Sequence, residues 1–332
     1  MRSLIITVGP AFWKDVQSLT FKTEFVSPIL RINGAHTDSE DLKSVCDRII
    51  EKFGNGTRIL LDLPGNKIRA KFSEPLKFKK DTPFNIPDTC FNITSPRDIF
   101  KKGQILNVFD SRFQFEVIEV SKEAAVGTIF MCARSGELPS GKGFHCTDLT
   151  RKLPILLDKD KALIDAANFS GVTDIGLSFV RNQDDIDLVR AELPEQLNLI
   201  PKIETASAIQ NLESILHHNK LVILDRGDLS TDVGLVNVPK YVKLTLERSM
   251  VHNTRVIIAT QYLKSMETSP VPLISELSDI YNTLNGAAHG IQLSEETAVG
   301  QFPNEVIKIV DDIIYEIYKN DEDYSTKYCG GF

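Results

Sequence analysis

No stretch of this chain runs uninterrupted through the roughly 18 apolar residues that a membrane-spanning helix needs. The opening MRSLIITVGPAF has neither the basic leader nor the long apolar core of a secretory signal. Both absences predict a soluble chain with no membrane partner. Cysteine is scarce: Cys46, Cys90, Cys132, Cys146 and Cys329 are five, an odd number, far apart and without a C-x-x-C pair. Neither a disulfide framework nor a zinc ribbon is expected from them, and a reducing cytoplasm suits them. Basic charge is in deficit, with 38 Lys and Arg against 45 Asp and Glu and a formal net charge of −7. A surface of that sign repels nucleic acid, so an anionic ligand must be held by local cations. At 42% apolar and 25% charged residues the composition is globular rather than disordered or coiled-coil. The 332 residues suffice for a large core.

Short β-branched runs alternate with helical stretches, the pattern of a parallel α/β sheet or barrel. Eight such runs occur, at 4–8, 29–33, 59–62, 174–179, 197–203, 221–224, 255–260 and 290–294. Several stay apolar until a polar residue closes them: Asn33, Asp62, Glu204 just past Ile203, Thr260 and Ser294. In a (β/α)8 TIM barrel that carboxyl end is where a site is built. Between the third and fourth runs the helical period is lost, and Phe-rich alternating segments such as FQFEVIEV and TIFMCAR take over. We read residues 66–145 as a small inserted β domain after strand 3, with 1–65 and 146–320 as the barrel and 321–332 as a polar tail. The insert carries 13 Lys and Arg against 9 Asp and Glu, while the remainder has 25 against 36. A basic lid over an acidic mouth suits a phosphorylated ligand, as a solvated basic face would also explain the bias.

PKIET at 201–205 sets Lys202 and Glu204 two apart on a strand, so both leave one face. DRGDLS at 225–230 follows the next strand and supplies Asp228. Two hard carboxylates at neighbouring strand ends are the partial ligand set of Mg2+ or Mn2+, with substrate and water completing the octahedron.

These segments stand in order with others. PKIET matches K-I-E-N, DRGDLS matches A-R-G-D-L-G, IATQYL matches A-T-Q-M-L, LSEETA matches S-G-E-T-A and LRINGAH matches R-L-N-F-S-H. From ITVGPA to LSEETAVGQFP the chain resembles the pyruvate kinase family, over barrel and lid, without its carboxyl-terminal regulatory domain. The resemblance implies Glu204 and Asp228 as metal ligands and Lys202 as the cation on the phosphoryl group in flight. It implies the backbone N–H groups of Gly227 and Asp228 as the substrate carboxylate site. Thr260 would deliver a proton to the enolate, with Ser294 and Glu296 in the proton network, and Arg31 and Arg69 would neutralise phosphate oxygens. Thr7, Pro10, His36, Arg69 and Lys142 match nucleotide-side positions, and Asp110 matches a lid acid.

The departures are as informative. Of the monovalent-cation site Asn33 and Asp62 remain, but Ala35 and Leu63 replace Ser and Thr, and Lys67 replaces a Glu. A fixed ammonium at Lys67 would then stand in for K+, which is expected not to be required. Family lysines are replaced by Pro64 and Val299, only Lys142 is left of a pair beside Gly141, and the acids Asp225 and Glu295 are new. Nucleotide binding is accordingly expected to be weak beside that of phosphoenolpyruvate or pyruvate analogues. The leading expectation is glycolytic phosphoryl transfer between phosphoenolpyruvate and ADP giving pyruvate and ATP, in a cytoplasmic enzyme that could be a homo-oligomer. The alternatives are another metal-dependent reaction on phosphoenolpyruvate, pyruvate or a 2-oxo acid without ADP, and a non-catalytic protein that binds these metabolites.

Overall fold

The computed structural model describes residues 1–328, apart from 23, 94, 110, 111 and 146–152. Asp110 and the expected domain boundary at 146 lie outside the described residues. In chain order come β1 (Arg2–Thr7), β2 (Val26–Asn33) and β3 (Arg58–Asp62). The lid follows with β4 (Ile68–Arg69), β5 (Leu76–Phe78), β6 (Phe84–Ile86), β7 (Ile105–Val108), β8 (Phe113–Val120), β9 (Thr128–Cys132), β10 (Gly136–Leu138) and β11 (Gly143–His145). The chain then resumes with β12 (Asp174–Leu177), β13 (Asn198–Ile203), β14 (Leu221–Asp225), β15 (Arg255–Ala259) and β16 (Gly290–Leu293).

Strands β1, β2, β3 and β12 to β16 close into a barrel in the order β1-β16-β15-β14-β13-β12-β3-β2, every neighbouring pair parallel. Each of the eight apolar runs has become a barrel strand. Helices return between them, among them Ser39–Phe53, whose buried Leu42, Cys46 and Ile49 recur at helical spacing. Closure makes backbones meet closely. A Cβ on Gly290 of β16 would lie 2.0 Å from the carbonyl oxygen of Ser3 in β1, so only glycine fits there.

Apolar side chains sort into an outer layer between strands and helices and a smaller cluster inside the barrel. The inner cluster is Ile5, Ile29, Leu60, Ile200, Ile223, Ile257 and Ala259. Side chains alternate along a strand, so two residues further on the same face recurs. Those residues are Thr7, Arg31, Asp62, Lys202 and Asp225, all buried. A polar layer therefore caps an apolar floor.

The lid has its own core, built on phenylalanine edges. Phe115 packs against Phe78, Phe84, Phe130 and Phe144 with ring centroids 5.0–5.9 Å apart. FQFEVIEV and TIFMCAR supply β8 and β9, an antiparallel pair within the six-stranded sheet β4-β11-β7-β8-β9-β6. The lid is pinned to the barrel by Asn107, which donates to Thr231 O at 3.0 Å, and by buried His145, 3.2 Å from Asp232. The last helix, Pro303–Tyr328, continues through residues 321–328, which the sequence reading gives to the tail. No Gly or Pro interrupts 304–328, and polarity by itself does not end a helix.

Candidate active site

Lys202 is the hub of the polar layer. Its Nζ lies 3.2 Å from Asp62 Oδ1, 3.1 Å from Glu204 Oε2 and 3.8 Å from Asp225 Oδ2, and it donates to Ser178 Oγ at 3.2 Å. Burial alone would lower its pKa, but the three carboxylates raise it above the ordinary lysine value, so it stays charged. Arg31 donates through Nε to Asp62 Oδ2 at 2.7 Å and through NH1 to Thr7 Oγ1 at 2.8 Å. Burial opposes the charge of Asp62, yet Lys202 and Arg31 hold its pKa below the usual carboxylate range.

Glu204, Asp225 and Asp228 each offer one oxygen, all within 4.8 Å of one another. Glu204 is fully buried; its Oε1 accepts from Phe179 N–H at 2.8 Å, while its Oε2 has no hydrogen-bond partner and faces the Lys202 ammonium. Burial, with Asp228, Asp225 and Asp62 adding to it against Lys202, pushes its pKa up to about 8. An all-oxygen carboxylate set carrying excess negative charge fits Mg2+ or Mn2+. Asp228 would be pushed up by burial, but Lys67 and Lys202 hold it at about 2. The Lys67 ammonium stands 2.5 Å from Asp228 Oδ1. Its ion pair is thus with a candidate metal ligand, while Asp62 is met by Arg31 and Lys202, and Asn33 Oδ1 accepts from Ala35 N–H at 3.1 Å.

Gly227 and Asp228 open the helix Arg226–Val233, as expected. Beside them Thr260 sits at φ 71, which is strained for a β-branched residue. Arg226 holds that turn: its Nε and NH2 donate to Thr260 O at 3.1 and 2.6 Å, its guanidinium lies 4.0 Å over the Tyr262 ring, and NH1 pairs with Asp279 at 2.8 Å. The sequence reading passed over Arg226, although its place between two site acids was a signal. The Thr260 hydroxyl accepts from Gly227 N–H at 2.8 Å and can donate either to Ala259 O at 2.7 Å or to Asp225 Oδ1 at 3.1 Å.

Across the mouth, Ser294 and Glu296 are buried together, Ser294 N–H donating to Glu296 Oε2 at 2.7 Å. Burial pushes the Glu296 carboxyl up to about 7. The Thr7 hydroxyl accepts from Arg31 and donates to Leu293 O at 2.7 Å. Pro10 opens the helix Pro10–Asp15. There a Cβ on Gly9 would come within 2.5 Å of Ala298 O, so ITVGPA and EETA dock against each other.

Under the lid lies a cavity of about 570 Å3, lined in part by His36, Pro64, Arg69, Lys71, Gly141, Lys159 and Lys161. His36 has a lowered pKa, through burial first and then Arg69, Lys159 and Lys142. Arg69 NH1 donates to Gly141 O at 3.0 Å, and the Lys142 ammonium lies 4.5 Å from the Phe109 ring centre. Lys71, Lys159 and Lys161 are cations of this cleft that the sequence reading did not count. They come from the lid and from the helix Asp158–Ala167, outside every matched motif.

Among the described residues no helix is long and apolar enough to cross a membrane. A family model described as pyruvate kinase, barrel domain, matches residues 1–307. The chain is 29% identical to the pyruvate kinase of Thermotoga maritima, with 98% of this chain and 73% of the relative aligned. It is also 29% identical to that of Sporosarcina psychrophila (93% and 56%) and 26% to that of Methanocaldococcus jannaschii (98% and 71%). The chain therefore spans between about half and three quarters of the length of these relatives. With a matching family model over 307 residues on a closed eight-stranded barrel, the chain belongs to the pyruvate kinase family.

Proposed function

We propose that this chain transfers a phosphoryl group between phosphoenolpyruvate and ADP, giving pyruvate and ATP. The observation that carries the reading is the cluster of buried Lys202 and Glu204 with half-buried Asp228, beside the strained Thr260. Mg2+ or Mn2+ on Glu204 and Asp228 would supply neutralising charge for the phosphoryl and enolate oxygens. Lys202 and Arg31 are fixed, desolvated cations that can face the phosphoryl group without reorganising, which is how such transfers are mostly catalysed. Arg69 faces the same ligand from the lid. The phosphoryl group leaves the enol oxygen for a terminal ADP oxygen, and the enolate left behind takes a proton at its methylene carbon. Thr260 would be the donor: its hydroxyl lies 2.8 Å from the N–H of Gly227, beside which the substrate carboxylate would sit. Glu296, whose carboxyl burial pushes up to about 7, would belong with Ser294 to the proton network that the family resemblance implies.

Pro64 and Val299, where family members carry lysine, favour a second reading in which the same metal site enolises a 2-oxo acid without ADP. The cations Lys71, Lys159 and Lys161 favour the first. The test is ADP-dependent formation of pyruvate from phosphoenolpyruvate with Mg2+, alongside deuterium exchange from solvent into pyruvate. Pyruvate formation that vanishes in Lys202→Ala is the expected result; exchange without ADP-dependent turnover would replace it with the second reading.

A further inference from the structure

Asp225 ends β14 with its side chain in the polar layer, where the family motif has alanine. Its Oδ1 accepts from Gly227 N–H at 3.0 Å and Asp228 N–H at 3.3 Å, and the Thr260 hydroxyl lies 3.1 Å away. A capping aspartate would account for the two N–H contacts alone. Here the same carboxyl also offers an oxygen within 4.8 Å of ligand oxygens on Glu204 and Asp228. Glu204 Oε2, fully buried and without a hydrogen bond, already faces one cation, the Lys202 ammonium at 3.1 Å, and belongs to this group of ligand oxygens.

A carboxylate held by a helix N-terminus on one side and facing the candidate metal ligands Glu204 and Asp228 on the other is posed as the carboxylate of a 2-oxo acid or enol phosphate would be. We propose that Asp225 is a built-in competitor of the substrate carboxylate. It is a specificity-determining residue that must swing out of the Gly227–Asp228 nest before such a ligand can enter. One set of donors cannot serve two carboxylates, and two like charges at this spacing repel. The inference rests on the phosphoenolpyruvate reading of this site and deepens it: affinity for small carboxylates is held down by the chain's own side chain.

The test is calorimetric titration of oxalate, a mimic of enolpyruvate, into the full chain saturated with Mn2+, in wild type, Asp225→Ala and Asp225→Asn. Asn keeps an oxygen in the nest and caps helices well, so this variant retains the local fold while losing the charge. Asp225→Ala should bind oxalate at least tenfold more tightly than wild type, with Asp225→Asn in between. Equal gains in both variants would show a general charge effect and overturn nest occupancy. Affinities within twofold of wild type in both would overturn the inference while leaving the phosphoenolpyruvate reading in place. No oxalate binding by any of the three Mn2+-loaded proteins would overturn both.

Discussion

At the barrel mouth Lys202, Arg31 and Lys67 are each set against a carboxylate and sunk into the wall, whereas Lys71, Lys159 and Lys161 stand exposed along the cleft under the lid. The mouth is a desolvated network in which every charge leans on another, so removing one member leaves its partners buried and uncompensated. The cleft cations are screened by solvent and largely independent of one another. One region is suited to holding a metal and a reacting group in fixed geometry, the other to gathering a polyanion that the lid can close upon.

The sharpest way to break this contrast is to remove a cation from each region. In metal-free protein, Lys202→Ala leaves Asp62, Glu204 and Asp225 without their shared ammonium and should cost roughly 3–5 kcal/mol in urea unfolding. Lys159→Ala in the cleft should stay within about 0.5 kcal/mol of wild type. Equal costs would mean that the two regions do not differ as described.

The next effect is a pH dependence. Glu296 has a folded pKa of about 7 against an ordinary 4.5, so the folded state binds its proton more tightly than the unfolded chain does. Its contribution to stability is present below 4.5 and is lost as pH rises through 7. Glu296 should account for roughly 1–3 kcal/mol of the fall over that window, and Glu296→Gln should remove that share while leaving the fall that raised Glu204 contributes. Denaturant midpoints measured from pH 4.5 to 8 decide it.

How much of this was legible beforehand differs between the two regions. The mouth was readable because strand alternation fixes direction: Lys202 and Glu204, two apart after an apolar run, had to share a face. Direction within a loop was not readable. Asp225 registered only as added negative charge, since its turn back onto Gly227 and Asp228 depends on the backbone torsions where β14 becomes a helix. The contact of Lys67 with Asp228 was not readable either, because it joins a long side chain of the lid to a residue 161 positions away. The cleft was the least legible, because Lys71, Lys159 and Lys161 converge only once lid and barrel are assembled. The helical tail at 321–328 shows the same limit locally, since a polar run carries no stop signal unless Gly or Pro supplies one.

Smaller effects sharpen the cleft's side of the comparison. Arg69→Ala should weaken Mg2+-ADP by about tenfold, the loss of one charge-assisted contact worth about 1.5 kcal/mol. Competitive titration of the nucleotide against each variant measures it. Smallest of all, replacing K+ by tetramethylammonium should change turnover by less than twofold, because Lys67 already supplies a fixed ammonium beside Asp228. A large loss of rate would show that the ammonium does not do the work of the monovalent ion.

The central claim is that Glu204 and Asp228 make the mouth a divalent-metal site, and it is tested most directly by calorimetric titration of Mn2+ into wild type, Glu204→Gln and Lys159→Ala. The account predicts that affinity falls at least tenfold in Glu204→Gln and is unchanged in Lys159→Ala. Mn2+ bound equally well by wild type and Glu204→Gln would contradict it.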